Sequence, residues 1–452
     1  MLVKRFEAEG LAQFSYLIGD GVGAAVIDPR RDIDIYIREA AVEGLQIKYV
    51  LETHRNEDYV TGSLDLSRKT GAEILHADAQ LEYRFGRPVE NGEVIRVGRS
   101  KLQALYTPGH TPGHMSYLLH DPDGLPYAVF TGDALFAGSI GRTDFLGEEM
   151  LHKMTGDLYD SIFNVLLPLG DEIIVYPAHG AGSVCGEDIA ERHLTTLGLE
   201  RKHNPSLQVN SREDFISRAH MLPRAPYFRK MEEYNVMGPP ALEGVPMPPP
   251  LNPGDFSKGL SSAAVLDVRS ELDFACAHIP GSIFIPNRLI PAYAGWFLNT
   301  DTRLLLVARS GEVKAVTRKL MRIGVDNIEG YLSGEMLPWQ LSGRESTRVN
   351  TVTVGELCTI LDSRTNVYLL DIRSSSEVEE QGAITSAHNI GLTELPESMG
   401  EIPRDTDTFI FCGSGLRSMI AASILKNSGF DRLTVVLGGL SGWKSFTCPI
   451  RR

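Results

Sequence analysis

The sequence predicts an α/β protein built from several domains, on three observations. Short apolar runs alternate with helical patterns in the first half of the chain, as in AAVID, DIDIYIREAAVEGL and IKYVLETH, which is typical of strands and helices in layered folds. Residues 238–254, GPPALEGVPMPPPLNPG, are rich in proline and glycine, which indicates an extended linker. One α/β pattern then occurs twice, and 452 residues suffice for two or three domains.

The composition limits the possible partners. Lysine and arginine number 44 against 58 aspartates and glutamates, which gives a net charge of −14. Because binding to a phosphate backbone needs a basic surface, we expect no nucleic-acid partner. No apolar run approaches the roughly 18 residues of a membrane span, and the start MLVKRFEAEG lacks a signal-peptide core. The five scattered cysteines do not form a disulfide framework, so we expect a cytoplasmic protein.

The second half of the chain contains an internal repeat. VLDVRSELDFACAHIPGSIFIPN at 265–287 is similar to LLDIRSSSEVEEQGAITSAHNI at 369–390, and the same 104-residue step leads from Ala308 to Cys412. In each copy a short apolar strand precedes a glycine-containing loop and then a helical pattern, which is the βα unit of a parallel sheet. The predicted domains are therefore 1–240, 255–345 and 350–452.

The loop in FIFCGSGLRSMIAASILKNSG has the features of a reactive-cysteine site. A strand-like run ends at Cys412, and a helical pattern follows Arg417. Gly413 and Gly415 let the backbone curl so that N–H groups point at one spot, and the helix N-terminus adds positive potential there. Together with the donor fork of Arg417, these groups stabilise an anionic sulfur. The predicted sulfur cradle is Gly413, Ser414, Gly415 and Leu416.

This loop resembles the active-site loop of rhodaneses, in which the cysteine carries a transferable sulfur. Asp371 and Arg373 in LLDIR and the closing GGLSGW at 438–443 also match that family. Phosphatases of the same fold use C-x5-R, whereas this loop is C-x4-R, and the shorter cradle suits one sulfur atom better than a phosphate. The resemblance implies that Cys412 and Arg417 are catalytic.

The middle copy lacks these groups. Ala308 stands at the position of the catalytic cysteine, Val313 stands at the position of the arginine, and Glu312 adds negative charge to an anion-binding loop. The copy therefore resembles a rhodanese-homology domain without catalytic activity, which provides a packing or docking surface. Three further cysteines are interpreted as small buried apolar residues: Cys276, Cys358 and Cys448.

Polar side chains follow four strand-like runs of the N-terminal domain. His54 follows IKYVLET, His110 follows KLQALYTPG with His114 shortly after it, Asp133 follows YAVFTG, and His179 follows IIVYPA. Strand ends that converge on one rim are where layered α/β folds build sites. His54, His110 and Asp133 supply two imidazoles and one carboxylate. This is the ligand set of mononuclear non-haem Fe(II) oxygenases, which keep coordination positions open for substrate and O2.

The order of these residues and the segments TPGHTPGH, FTGD and YPAHG resemble the metallo-β-lactamase fold, most closely its glyoxalase II-like branch. The resemblance implies an α/β chain with a metallo-β-lactamase αββα sandwich followed by two rhodanese-like α/β domains. Two-metal hydrolases of this fold display H-x-H-x-D-H, but THRNEDYV has Asn56 and Tyr59 in place of two histidines. An amide oxygen and a phenol are poor zinc ligands, so we expect one metal ion.

Persulfide dioxygenases resemble this domain in holding one iron with the matching His, His and Asp. The resemblance implies one Fe(II) per chain, with zinc as the alternative. It makes Arg142, in GRTDF, the candidate anion-binding donor. Asp58 is expected to orient a ligating histidine, and His179 to serve as a pocket residue or orienting donor. Cys185 is expected either to reach the iron pocket and relay persulfide or to be a partly buried thiol. Residues 222–238 are expected to pack over the pocket or against the next domain.

The whole chain resembles bacterial fusions of a persulfide dioxygenase with tandem rhodanese modules. The implied function is oxidation of a low-molecular-weight thiol persulfide by O2 to sulfite, coupled to sulfane-sulfur transfer that makes or uses thiosulfate. Two alternatives stay open: a glyoxalase II-like zinc thioester hydrolase fused to a sulfurtransferase, and a non-catalytic sulfur carrier or sensor. We expect a homodimer or tetramer without a membrane partner. The sequence leaves open whether glutathione, coenzyme A or another thiol carries the persulfide.

Overall fold

The computed structural model describes residues 1–192, 194–363, 366–384 and 386–445. It divides into two units, one of residues 1–246 with 318–324 and the other of residues 247–317 with 325 onward. Within the described residues, no helix is long and apolar enough to cross a membrane. The three domain limits expected from the sequence stay predictions, because this division places both repeat copies in one unit.

Two six-stranded sheets form the framework of the first unit. The first sheet follows chain order: β1 (Leu2–Ala8), β2 (Gln13–Asp20), β3 (Gly23–Ile27), β4 (Gln46–Leu51), β5 (Glu73–His76) and β6 (Arg87–Pro88). The second sheet contains β7 (Val94–Val97), β8 (Ser100–Tyr106), β9 (Met115–His120), β10 (Pro126–Gly132), β11 (Ile174–Pro177) and β12 (Thr195–Thr196), each beside the next. Both sheets mix parallel and antiparallel pairs.

The helices of the first unit are α1 (Asp34–Val42), α2 (Ser63–Thr70), α3 (Glu148–Asp160), α4 (Leu197–His203), α5 (Arg212–Ser217) and α6 (Phe228–Met237). A π-helical segment, Ser161–Leu166, follows α3 directly.

Successive side chains of β2 pack on opposite faces of the first sheet, which explains why this part of the chain forms four layers. Tyr16 and Ile18 belong to an apolar cluster shared by both sheets, whereas Leu17 between them packs with residues of α1 and α2. Successive side chains of a strand point to opposite faces, so a strand covered on both sides is apolar throughout. A third cluster joins the outer face of the second sheet to α3, α4 and α5. The predicted αββα sandwich is confirmed.

The second unit contains two five-stranded parallel sheets. The first comprises β13 (Pro250–Leu251), β14 (Ala264–Asp267), β15 (Ile283–Phe284), β16 (Leu304–Val307) and β17 (Ile328–Leu332), in the spatial order β13-β17-β16-β14-β15. The second comprises β18 (Asn350–Thr353), β19 (Val367–Asp371), β20 (Ala387–Asn389), β21 (Asp407–Phe411) and β22 (Leu433–Leu437), in the equivalent order β18-β22-β21-β19-β20. The internal repeat is therefore a repeat of topology.

The helices around the first of these sheets are α7 (Pro253–Gly259), α8 (Glu271–Cys276), α9 (Ile290–Phe297), α10 (Val313–Arg322) and α11 (Met336–Leu341). Those around the second are α12 (Val354–Ser363), α13 (Ser375–Gln381), α14 (Leu395–Ser398), α15 (Leu416–Asn427) and α16 (Gly439–Ser445). In both copies an arginine two residues after the strand end pairs with the strand's last aspartate. Nη2 of Arg269 lies 2.6 Å from Asp267, and Nη2 of Arg373 lies 2.6 Å from Asp371.

The cysteines outside the two candidate sites differ in their surroundings. Cys276 ends α8 and is exposed, so the expectation of a buried residue is wrong. The inward side of that helix is occupied by Phe274 and Ala275. Cys358 is buried as expected. The prediction for Cys448 lies outside the described residues.

Candidate functional sites

Four loops meet at one end of the sandwich. His54 follows β4, His110 lies between β8 and β9, Asp133 follows β10, and His179 follows β11. β10 and β11 are parallel neighbours whose last residues pair, which brings Asp133 and His179 side by side. Because each of these polar residues follows the end of an apolar strand, the four side chains lie in one cluster.

The three predicted metal ligands converge. Oδ2 of Asp133 lies 3.4 Å from Nε2 of His110 and 3.7 Å from Nε2 of His54. All three side chains are fully buried, and neither Nε2 atom has a hydrogen-bond partner among the residues that the structure describes. Ligand atoms about 2.1 Å from a common ion lie about 3.0 to 3.5 Å apart. Because unpartnered buried polar atoms are costly, this arrangement fits a single bound cation.

Hydrogen bonds to the other ring nitrogens direct both Nε2 atoms into the site. Nδ1 of His110 donates to the carbonyl of Arg142 at 2.8 Å, which turns Nε2 toward the site. Nδ1 of His54 lies 2.8 Å from the hydroxyl of Thr53, which itself donates to Asp28 at 2.8 Å. Contacts of this kind orient metal-ligating histidines and select their tautomer.

Asp133 is held from two sides. Nδ1 of His179 lies 2.8 Å and 3.0 Å from its two carboxylate oxygens. Its backbone N–H donates to Nε2 of His114 at 3.1 Å, and the other nitrogen of His114 lies 2.9 Å from Thr107. His114 is therefore a positioning residue, and the sequence pattern alone did not distinguish it from a ligand.

Asp58 contacts His179 and neither predicted ligand histidine. Its Oδ2 lies 3.1 Å from Nε2 of His179, so both ring nitrogens of His179 face carboxylates. The expectation that Asp58 orients a ligating histidine is therefore not met in this geometry. Cys185 is fully buried, and its sulfur lies within 4.8 Å of a ligand atom of Asp58, His179, His110 and Asp133. The thiol thus lies beside the convergent ligands.

The electrostatics of the cluster favour positive charge between the carboxylates. Burial lowers the pKa of His54 well below its usual range, which keeps that imidazole neutral, as a ligand must be. Burial opposes protonation of His110 and His179 as well, but neighbouring carboxylates outweigh it and raise the pKa of both. Histidines in turn hold the pKa of Asp133 below its ordinary value despite burial. Burial and the nearby carboxylates raise the pKa of the Cys185 thiol.

Arg142 does not present a free donor fork. Nε and Nη2 each lie 2.6 Å from a carboxylate oxygen of Asp144, and the remaining donors face the carbonyls of Val184, Leu222 and Pro223. The guanidinium thus joins Asp144 to the loop of Val184 and to the segment Leu222–Pro223. The expectation that Arg142 binds an anion therefore fails in this geometry, because Asp144, two residues away, takes its fork.

Tyr59 and Asn56, the two residues that depart from the two-metal pattern, are both buried, and Oδ1 of Asn56 has no hydrogen-bond partner among the described residues. The hydroxyl of Tyr59 lies 3.3 Å from Nε2 of Gln13 and 3.4 Å from the carbonyl of Asp28. Burial raises the pKa of Tyr59 well above its usual value, so its phenol stays neutral. Nδ2 of Asn56 donates to the carbonyl of His54 at 3.3 Å.

Helix α6 and the residues before it lie on the loop after β4, as expected for residues 222–238. The hydroxyl of Tyr227 donates to the carbonyl of Asp58 at 3.0 Å. Nδ2 of Asn235 donates to the carbonyls of Asn56 and Tyr59 at 2.7 and 2.8 Å. These contacts hold the loop between His54 and Asp58 in place.

The second candidate site is the loop between β21 and α15. Cys412 is fully buried, and its sulfur accepts the N–H of Gly415 at 3.1 Å. Gly415 has φ of +100°, a left-handed conformation that favours glycine. The N–H of Leu440 donates to the carbonyl of Cys412 at 2.8 Å, and a Cβ on Gly439 would lie 2.2 Å from that oxygen. The closing GGLSGW segment therefore needs glycine to pack against the loop.

Arg417 is already engaged by a carboxylate. Its Nη1 and Nη2 each lie 2.6 Å from an oxygen of Glu377, which belongs to α13. The hydroxyl of Tyr293, from α9 of the middle copy, also interacts with this guanidinium. The middle copy contacts the last one elsewhere, since the N–H of Phe284 donates to Ser423 at 3.1 Å. Its loop holds the buried methyl of Ala308 where the last copy has a thiol.

Comparison with known proteins agrees with these two architectures. The Metallo-beta-lactamase superfamily model matches residues 8–179, and the Rhodanese-like domain model matches residues 252–342 and 353–446. The hydroxyacylglutathione hydrolase GloC of Haemophilus influenzae is 31% identical over 221 residues, which are 44% of this chain and 93% of that protein. The chain belongs to the metallo-β-lactamase superfamily. It combines a domain of that superfamily with two rhodanese-like domains, as predicted.

Two further similar proteins extend this comparison. Human mitochondrial persulfide dioxygenase ETHE1 is 32% identical over 216 residues, which are 45% of this chain and 74% of that protein. A crystal structure of a metallo-beta-lactamase from Staphylococcus aureus matches with a TM-score of 0.66 and 32% identity, over 74% of this chain and 98% of that one. The N-terminal domain is thus similar to both persulfide dioxygenases and hydroxyacylglutathione hydrolases, and these relatives are enzymes.

Proposed function

We propose that the N-terminal domain oxidises the terminal sulfur of a low-molecular-weight thiol persulfide with O2, and that the C-terminal domain transfers sulfane sulfur. In the first reaction the persulfide, O2 and water yield the thiol and sulfite. The observation that supports it best is the convergence of two unpartnered, buried imidazole nitrogens on one oxygen of Asp133. That donor set is the one used by mononuclear non-haem iron oxygenases.

His54, His110 and Asp133 would hold one Fe(II) ion. Iron supplies the one-electron chemistry with O2 that no side chain of the site provides. The protein's own part is to fix the ligands before substrate arrives. His179 and His114 hold Asp133, and hydrogen bonds at Nδ1 select the tautomers of both ligand histidines. The complete burial of these side chains keeps bulk water away from the reacting sulfur.

In the C-terminal domain, Cys412 would carry the transferable sulfur. The Cys412 persulfide gives its outer sulfur to sulfite: the S–S bond breaks, a new S–S bond forms, and thiosulfate leaves with Cys412 as thiolate. The same steps in reverse charge the cysteine from thiosulfate. The N–H of Gly415 and the start of α15 stabilise the negative charge on sulfur. Because both domains belong to one chain, sulfite made by one is present at a raised effective concentration for the other.

Oxygen uptake by iron-loaded protein tests the first reaction. Protein reconstituted anaerobically with Fe(II) is mixed with glutathione persulfide or coenzyme A persulfide, and O2 consumption and sulfite are followed together. We expect comparable amounts of O2 consumed and sulfite formed, and loss of both in D133N. Absence of O2 uptake by protein with stoichiometric iron would overturn the proposal. Activity with one persulfide only would identify the thiol.

A second candidate function is supported by a second group of ligand-type side chains. Asp58, His179 and Cys185 have ligand atoms within 4.8 Å of one another, next to the first set. Two zinc ions bound by the two groups would suit thioester hydrolysis, the reaction class of the hydroxyacylglutathione hydrolase relative. Two zinc ions per chain and cleavage of S-lactoylglutathione would favour it over the oxidation.

A cytoplasmic location and a dimeric or tetrameric state stay predictions.

A further inference from the structure

Glu57 is a buried carboxylate that the three-ligand interpretation leaves out. Its Oε2 lies 3.6 Å from Nε2 of His110 and 4.0 Å from Nε2 of His54, and its side chain is completely buried. Within the described part of the chain, this oxygen has no hydrogen-bond partner, and neither have the two nitrogens. Three unpartnered ligand atoms from different residues therefore face one another.

We propose that Glu57 is a fourth protein ligand of the metal ion. Its Oε2 and Oδ2 of Asp133 face the same pair of imidazole nitrogens at similar distances, 3.6 and 4.0 Å against 3.4 and 3.7 Å. Asn56, where two-metal hydrolases have a histidine, turns its amide nitrogen to the carbonyl of His54. The longer side chain of the next residue supplies the missing donor. The inference rests on the proposed function only in requiring a metal ion.

The other oxygen of Glu57 is held in a way that points Oε2 inward. Oε1 accepts a 3.1 Å hydrogen bond from Nη2 of Arg55, and the same nitrogen lies 2.9 Å from Glu232. The backbone N–H of Arg55 donates to Asp78 at 2.8 Å, which anchors the arginine. A ligating carboxylate whose second oxygen is hydrogen-bonded is the usual pattern at metal sites.

Pairing with Arg55 alone does not account for this geometry. An ion pair without a metal needs one oxygen of Glu57, and Arg55 already shares its charge with Glu232. Oε2 would then be a buried carboxylate oxygen without a hydrogen bond among the described residues, beside two imidazole nitrogens that also lack one, an arrangement that costs free energy. A divalent cation bound by Oε2 together with the two imidazole nitrogens would remove this cost.

A fourth ligand changes what the site can accept. Four protein ligands would leave a six-coordinate ion about two positions for substrate and O2. Two carboxylates would also balance the charge of a divalent ion.

Metal affinity of matched variants tests the inference. The metal-free full-length protein, E57Q and E232Q are titrated with Zn(II) against a chromophoric chelator, and with Co(II) for its visible absorption. Each variant replaces one of the two carboxylates that pair with Arg55 by a neutral amide, but only Glu57 also lies next to His54 and His110. We expect E57Q to bind Zn(II) about 100-fold more weakly, with an altered Co(II) spectrum. We expect E232Q to stay within about tenfold of wild type, with an unchanged spectrum.

Two results would overturn the inference: E57Q with wild-type affinity and spectrum, or E57Q and E232Q weakened equally, which would make Glu57 only a partner of Arg55. Thermal melting of the metal-free forms checks folding. If E57Q does not fold, E57D is titrated in its place, because aspartate keeps the negative charge but has a shorter side chain. E57D should lose affinity, and wild-type affinity in it would overturn the inference. Because no readout involves O2, a failed oxidation assay with an altered E57Q spectrum would remove the proposed reaction and leave the fourth ligand.

Discussion

Replacing Glu377 by glutamine tests whether the ion pair at Arg417 competes with sulfur anions. The pair has two 2.6 Å contacts, and its side chains are 22% and 27% exposed, so we assign it about 1 kcal/mol, the upper value for exposed pairs. An anion that binds Arg417 must displace the carboxylate. Since 1.4 kcal/mol is about a factor of ten, E377Q should lower the KM for thiosulfate about fivefold and leave kcat nearly unchanged.

The assay is thiocyanate formation from thiosulfate and cyanide. E380Q is the matched control, because Glu380 is exposed on the same helix and carries the same charge. Glutamine at 377 can still complete the capping box with Ser374, so α13 should persist. Hydrogen bonds from Arg417 lower the pKa of Glu377 to about 2, so its carboxylate is charged at all working pH values. The fivefold ratio should therefore be constant between pH 6 and pH 9. Equal KM values for E377Q and E380Q would refute the competition.

Three further variants test other parts of the structure. H179Q removes the imidazole that holds Asp133 and should weaken metal affinity about 10- to 100-fold in chelator competition; wild-type affinity would show that this contact is dispensable. C412S should abolish thiocyanate formation and leave O2 uptake intact, and thiocyanate formation retained in C412S would contradict the assignment of Cys412. Burial raises the pKa of Glu52 to about 8, above the value of about 4.3 in the unfolded chain. Metal-free wild type should therefore lose the contribution of Glu52 to stability as pH rises between these values, and E52Q has no such contribution to lose. The stability gained by E52Q should grow by about 3 kcal/mol between pH 5.5 and pH 8 in urea unfolding, and a constant gain would be inconsistent with the raised pKa.

The positions of the ligands could be predicted because each follows an apolar strand. A strand end fixes where a loop begins, and parallel neighbours such as β10 and β11 end together, so His54, His110, Asp133 and His179 had to arrive at one rim. The repeat could also be predicted from the sequence, since the strand before Cys412 and the glycine-containing loop after it recur 104 residues earlier, with Ala308 at the position of the cysteine.

Side-chain directions within the loops could not be predicted. The segment around Arg142 indicated an anion-binding donor. Whether the guanidinium binds an anion or pairs with Asp144 depends on the turn that brings the two side chains together. Nothing in the sequence singles out Glu57, which is one carboxylate among several near the candidate ligands. The direction of its side chain depends on the hydrogen bond from Arg55 and on helix α6, which covers the loop. Glu377 is far in sequence from Arg417, and only the packing of α13 on the cysteine loop reveals the pair.

Metal content measured beside O2 uptake tests the central claim most directly. Wild-type protein is loaded anaerobically with iron or with zinc, the bound metal per chain is counted, and each form is given a thiol persulfide and O2. The account predicts one ion per chain in both forms, O2 consumption with sulfite release by the iron form, and no O2 consumption by the zinc form. Two zinc ions per chain, together with an iron form that leaves O2 untouched, would contradict it.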